Sequence, residues 1–179
     1  MILEKEVNLI KNEELRSQVQ SVVVEHEEYF REYPVSISGK YHKHEPTMDI
    51  HVKRTVFFSY LMCDEFDLSA QDSDILIAAA ILHDIGKSEY CCKGPKPGNQ
   101  LYEGTGWSIK RGNNNHSMTG GKMIREAGIK DGDVIARIVE RHMCHWDKQS
   151  PQPESLLEYI LCMADYMASR EEIIIKEKT

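Results

Sequence analysis

No run of apolar residues in this chain approaches the roughly twenty that a membrane-spanning helix needs. The opening stretch, MILEKEVNLIKNEELRSQ, is charged throughout and lacks the apolar centre of a secretion signal. Basic charge is scarce as well. With 22 Lys and Arg against 29 Asp and Glu, the net charge is −7, which argues against a general affinity for long DNA or RNA, where phosphate neutralisation dominates. A small anionic substrate stays open, because a bound metal can supply positive charge locally. The five cysteines are odd in number and irregularly spaced, so no disulfide framework is expected. Cys91 and Cys92 are neighbours whose mutual bond would be strained, and reduced thiols are the expectation. There is no internal repeat, no heptad seam and no Gly-rich phosphate loop. These gaps leave a soluble, cytoplasmic protein without a membrane partner as the expectation, its oligomeric state unwritten.

What is present reads as helix. At 179 residues, 41% hydrophobic and 28% charged, the chain suits one globular domain, 1–179. From Leu3 to Tyr33, apolar residues recur at three- and four-residue spacing, predicting an N-terminal helix over 1–33. Pro34, Gly39 and Pro46 then mark a loop. A second helix is expected from Asp49 to Phe66. A third runs from Ser69, where Asp72 completes a capping-box pattern, to Asp84, with Gly86 as its stop. Residues 88–115 are too long for an ordinary connection and predict a lid-like loop carrying Lys93, Lys96, Lys110, Arg111, Tyr102 and Trp107. Helices resume over His116–Ala127 and Gly132–His145. A last one begins at Ser155, again with a capping pattern through Glu158, and runs through EEIIIKEK. The fold class is all-α, a compact single-domain bundle of about six or seven helices.

Chemistry enters at ILHDIGKSEY. His83 and Asp84 stand together at the end of the apolar run AAAIL, and an imidazole beside a carboxylate is a good ligand pair for a divalent metal. Such a pair alone also serves as a helix cap. Further candidates lie at the ends of other predicted helices: His51, His116, and His142 with His145 three residues on, so that both could face one way. Asp165 sits mid-helix among apolar neighbours, a costly place for a carboxylate without a partner, which Arg170 could otherwise supply. Taken singly, a histidine at a helix end is most often a cap or an exposed side chain. Together, His51, His83-Asp84, His116, His142 and Asp165 place ligand-type residues on five helices that could converge.

In this order, H…HD…H…H…D, and in HDIGK, NNHSMTGGKMI, IVERHMCHW and ILCMADYMASR, the chain resembles the HD-domain metal-dependent phosphohydrolases, in particular the subset with two metals. The resemblance spans the motif-bearing core, 42–170. It implies the HD-domain fold and two divalent cations, among iron, manganese, nickel, cobalt, zinc and magnesium. One would be held by His51, His83, Asp84 and Asp165, with Asp84 bridging to a second on His116 and His142. Asp84 and Lys87 are the implied catalytic residues. Lys87 also resembles the family's phosphate-binding lysine, and Arg54, one turn from His51, is a second candidate phosphate contact beside a surface ion pair. His42 could reach the site from its loop. His145 is assigned to the substrate side, and Arg170 to anchoring the fold.

The resemblance implies hydrolysis of a small phosphate ester, foremost a nucleotide or dinucleotide, by a metal-bridging hydroxide. A nuclease on short single-stranded RNA or DNA is the alternative, with Tyr102 or Trp107 stacking on bases. A di-iron oxygenase and a non-catalytic regulatory module are readings of another class. Lys87 weighs against the first, and a complete ligand set against the second.

Overall fold

The computed structural model describes residues 1–35, 45–101, 106–110, 115–148 and 150–175. Its first 33 residues correct the single long helix. Three short ones stand there instead: α1 (Glu4–Val7), α2 (Glu13–Glu25) and α3 (Glu27–Glu32). The apolar stripe is in place, since Leu3, Val7, Ile10, Leu15, Val19, Val23, Tyr29 and Phe30 are all buried. What interrupts the helix is polar. Asn12 caps α2 by accepting from Leu15 N, and the buried Asp74 carboxylate accepts from Lys11 N and Asn12 N at 2.7 and 2.8 Å. Backbone N–H groups held by a distant carboxylate are lost to helical continuation. Periodicity reports which residues are buried, and here it says nothing of whether the backbone is continuous.

The centre of the bundle is α5 (Ala70–Leu82), capped by Ser69, whose hydroxyl accepts from Asp72 N. Every residue from Asp74 to Leu82 is buried, so this helix is apolar all round and must be enclosed. It is covered by α1, α2, α4 (Met48–Glu65), α7 (Gly132–Glu140) and α8 (Leu156–Ala168), while α6 (His116–Glu126) lies against α7. Beyond α5 the chain tightens into a 3-10 turn, Ile85–Tyr90, which packs on α6.

Gly86 does not stop α5 through a left-handed conformation. It is needed because a Cβ there would lie 2.1 Å from His116 O and 2.5 Å from Gly120 N. The missing side chain lets α6 approach the turn after α5.

The segment 88–115, expected to be an irregular lid, contains a small antiparallel sheet. Its strands are β1 (Cys91–Lys93), β2 (Asn99–Leu101) and β3 (Trp107–Lys110), in the order β1-β3-β2. Cys92 pairs with Ser108, which also pairs with Leu101, so β3 is central. Trp107, Ser108 and Ile109 are buried, and Trp107 meets Tyr33 edge-on at 5.7 Å. Strands this short carry too few alternating positions to rise above a Gly-, Pro- and Lys-rich background.

At the other end, α7 closes at Glu140, short of the expected His145. Cys144, at a φ of 46°, turns the chain into a second 3-10 turn, Cys144–Trp146. The last helix ends at Ala168 and does not run on through EEIIIKEK. Its start matches expectation, with Ser155 and Glu158 forming a reciprocal capping box.

The expectation of reduced thiols throughout is also corrected. Cys144 and Cys162 are joined by a disulfide with a Cα–Cα distance of 6.2 Å, whereas Cys63, Cys91 and Cys92 are free. The partners are 18 residues apart, and only the turn after α7 lays one against α8. Among the described residues, no helix is long and apolar enough to cross a membrane.

Candidate metal centre

Six of the residues singled out from the sequence meet at one point, delivered by five separate elements. His51 lies in the first turn of α4, His83 and Asp84 immediately follow α5, and His116 opens α6 against Gly86. His142 sits in the turn beyond α7, and Asp165 is one turn from the end of α8. Their ligand atoms form two groups, His51, His83 and Asp165 beside Asp84, His116 and His142, each with its atoms within 4.8 Å of one another.

The outer ring nitrogens explain which atoms face inward. His83 Nδ1 donates to Ala80 O at 2.8 Å and His142 Nδ1 to Val139 O at 2.7 Å. His51 Nδ1 donates to the Glu45 carboxylate, 3.1 Å from each oxygen. A neutral imidazole that donates from Nδ1 carries a lone pair on Nε2. Three Nε2 atoms are thereby aimed at the same centre. His51 Nε2 and His83 Nε2 are only 3.2 Å apart, a contact that needs a proton or a cation between them. His116 Nε2 and His142 Nε2 are buried and without a hydrogen-bond partner among the described residues, although Asp84 Oδ1 lies 3.2 and 3.7 Å away. Buried, orphaned nitrogens converging on carboxylates are what a divalent cation satisfies, so the donor set fits one.

Asp84 divides its two oxygens. Oδ2 lies 3.7 Å from His51 Nε2 and 3.5 Å from His83 Nε2, whereas Oδ1 faces His116 and His142. Asp165 Oδ1 is 3.1 Å from His51 Nε2 and 3.9 Å from His83 Nε2. Lys87 Nζ bonds Asp84 Oδ2 at 2.6 Å, and Tyr29 Oη fixes the backbone by donating to Asp84 O at 2.8 Å.

The titration behaviour follows from these contacts. Burial raises the Asp84 carboxyl, but Lys87 and the histidines outweigh it and hold the group well below the usual carboxylate range. Asp165 is likewise lowered, against burial, by its hydrogen bond to His51 and by the surrounding imidazoles. Burial pushes His83 down to about 4 and lowers His116 as well. His51 runs the other way: burial lowers it, yet Asp165 and Glu45 together carry it up to about 10. Two depressed carboxylates beside two imidazoles whose protonation burial disfavours form a site that attracts positive charge.

The remaining candidates are placed differently. Lys87 lines the cavity at the centre. Arg54 does not: its guanidinium donates to Ala168 O, Arg170 O and Ile173 O at 2.9 to 3.1 Å and pairs with Glu45 at 3.3 Å. The expected phosphate contact is therefore corrected to a brace that holds Glu45 and the chain after α8. A helix-face argument from His51 could not foresee carbonyls that arrive from 114 to 119 residues away. His145 is exposed on the 3-10 turn and absent from the cavity lining, because the change of direction at Cys144 separates it from His142. His42 lies outside the described residues. On the sheet, Lys93 pairs with Glu28 and Glu32 and sits over Trp107, and Trp107 itself is buried. Tyr102 and Arg111 lie outside the described residues.

Sequence reasoning missed Glu45, a buried glutamate just before Pro46 whose only signal was its place six residues before His51. It also missed Met143, Trp146, Tyr166 and Ser169, which line a cavity of about 520 Å³ with His51, Asp84, Lys87, His116, His142, Asp165 and Arg170. In IVERHMCHW and ILCMADYMASR the ligand-type residues stand out, and no local signal marks the aromatic residues beside them as cavity wall.

The family model of the HD domain matches residues 48–170, well over half of the chain, and takes in all six converging residues. No curated protein and no solved structure gives a significant match.

Proposed function

This chain belongs to the HD domain family, in general metal-dependent phosphohydrolases, and from that premise we propose that it hydrolyses a small phosphate ester, foremost a nucleotide or dinucleotide. The observation that carries the reading is the split of Asp84, with Oδ2 toward His51 and His83 and Oδ1 toward His116 and His142. A carboxylate so divided is suited to bridge two cations. His51, His83, Asp84 and Asp165 would hold one, and Asp84, His116 and His142 the other. Four imidazoles suit iron, manganese, zinc, nickel or cobalt better than magnesium. When bound, two such ions supply a hydroxide at neutral pH and positive charge against the charge that develops on phosphoryl oxygens.

The protein's own groups do the rest. Glu45 keeps the His51 ring in the tautomer that presents Nε2, and the carbonyls of Ala80 and Val139 do the same for His83 and His142. Lys87, one 3-10 turn from Asp84 and 19% exposed, is placed to leave that carboxylate once it is neutralised and to take a phosphoryl oxygen. The cavity size matches that of a small-molecule site.

The test is metal counting on protein purified without chelator, followed by reloading with manganese, iron or nickel. Each form is assayed on bis-p-nitrophenyl phosphate and a panel of nucleotides, beside Asp84→Ala. Close to two metals per chain, with hydrolysis abolished in the variant, is the expected result. Metal without phosphate chemistry under any loading would favour the oxygenase reading, and no metal at all would leave a regulatory module.

A further inference from the structure

Trp146 is 54% exposed although it lines one cavity with five of the six converging residues, His51, Asp84, His116, His142 and Asp165, and Tyr166 beside it is 42% exposed. The two rings stack nearly parallel, 15° apart with centroids at 5.2 Å. Arg170 lays its guanidinium on Tyr166 at 4.2 Å, making a layered wall of guanidinium, phenol and indole. Of the three, the indole is the most exposed.

The wall is held rigidly. Trp146 closes the 3-10 turn that begins at Cys144, and Cys144 is bonded to Cys162, one turn before Tyr166 on α8. Gln152 Nε2 donates to Cys144 O at 2.9 Å, and Trp146 N donates to Met143 O at 3.0 Å. A rigid aromatic surface offers contact area at small entropic cost.

We propose that Trp146 is a base-stacking platform: the nucleobase of the substrate packs on the outer face of the indole while its phosphoryl group lies at the histidine–aspartate centre. The proposal rests on the phosphohydrolase reading and adds the part of the substrate that the metal ligands cannot select. Tyr166 stacks against the indole, and Arg170 lies on Tyr166 in the same cavity wall. Because every base has a π-face, such a platform discriminates between a nucleotide and a bare sugar phosphate, with little preference among bases.

Calorimetry on the full-length, manganese-loaded protein tests this with adenosine 5′-monophosphate, cytidine 5′-monophosphate and ribose 5-phosphate. Both nucleotides are expected to bind roughly tenfold or more tighter than ribose 5-phosphate. Trp146→Ala should bring that ratio toward one, and Trp146→Phe should keep most of it. A ratio of one in the wild type, with bis-p-nitrophenyl phosphate still hydrolysed, sinks the platform and leaves the phosphohydrolase reading standing. The reverse, a ratio that depends on Trp146 in a protein that cleaves no phosphate ester under any metal loading, keeps the platform and removes that reading. Equal weakening of all three ligands in Trp146→Ala would make the ring structural. A change in solution mass would make it a subunit contact, as Tyr166 ends a line of exposed apolar residues on α8 with Tyr159 and Met163. Either result overturns the proposal.

Discussion

Replacing Gly86 by alanine tests how the centre is assembled more sharply than removing a ligand does. The added Cβ would sit 2.1 Å from His116 O, 2.5 Å from Gly120 N and 3.0 Å from His116 C. All three are backbone atoms, so no side chain can rotate away. Ordinary contact begins near 3.4 Å, and the start of α6 must therefore retreat by about 1.3 Å. His116 Nε2, now 3.2 Å from Asp84 Oδ1, moves with it. Metal ligation tolerates displacements of only about 0.2 Å, so on the proposed two-metal reading the group of Asp84, His116 and His142 should lose its ion while His51, His83 and Asp165 keep theirs. Overpacking of this kind costs about 1–3 kcal/mol, a fall in Tm of roughly 2–12 °C for a chain of this size. The assays are elemental analysis, a thermal melt with and without metal, and hydrolysis of bis-p-nitrophenyl phosphate. The expected outcome is one metal per chain in place of two, a lowered melt even without metal, and hydrolysis largely lost. Gly94→Ala is the comparison. Its φ is 75° and its Cβ would meet nothing within 4 Å, so it should cost about 1 kcal/mol of backbone strain and keep both metals. Two metals at undiminished affinity in Gly86→Ala would refute the argument that this glycine sets the approach of α6.

Glu45→Gln keeps an acceptor for His51 Nδ1 but removes its charge, and metal affinity by titration should fall about 10- to 100-fold; unchanged affinity would make Glu45 a packing residue only. Arg54→Met takes one donor from each of three carbonyls and from Glu45, so denaturant melts should show a loss of about 2–4 kcal/mol with KM for the phosphate ester little changed. A tenfold rise in KM at undiminished stability would return Arg54 to the substrate. For metal-free protein the pH dependence has two limbs. His83, lowered to about 4 by burial, and His116, lowered likewise, bind fewer protons folded than unfolded, so their contribution is present above the ordinary value of 6.5 and lost as pH falls through about 4, up to roughly 3 kcal/mol from His83. His51, carried up to about 10, contributes fully below 6.5 and loses that contribution as pH rises through 10, so denaturation midpoints should peak near pH 6.5. A midpoint that climbs steadily from pH 7 to 10 would contradict the Asp165–His51–Glu45 arrangement.

The helical class and the six converging residues could be read from the chain because both rest on local signals. Burial periodicity marks α4 and α5, the caps at Ser69 and Ser155 mark helix starts, and histidines at helix ends stand out from an apolar background. The sheet at 91–110 and the breaks within 1–33 escaped for the opposite reason. Each depends on a partner distant in sequence: Tyr33 for Trp107, and Asp74 for the backbone of Lys11 and Asn12. Side-chain destinations were hidden in the same way. Arg54 looked like a phosphate contact and braces the end of α8, and Glu45 looked like part of a loop and orients His51. By itself, then, the sequence determined the helix-forming segments, the ligand-type residues and their order, because residue type and spacing act over a turn or two. Tertiary structure alone decided that Asp84 faces two histidine pairs, that Gly86 admits α6, and that a disulfide holds Trp146 beside Tyr166. Those are distances between helices, set by how the side chains of the core fit together and written in no single stretch of chain.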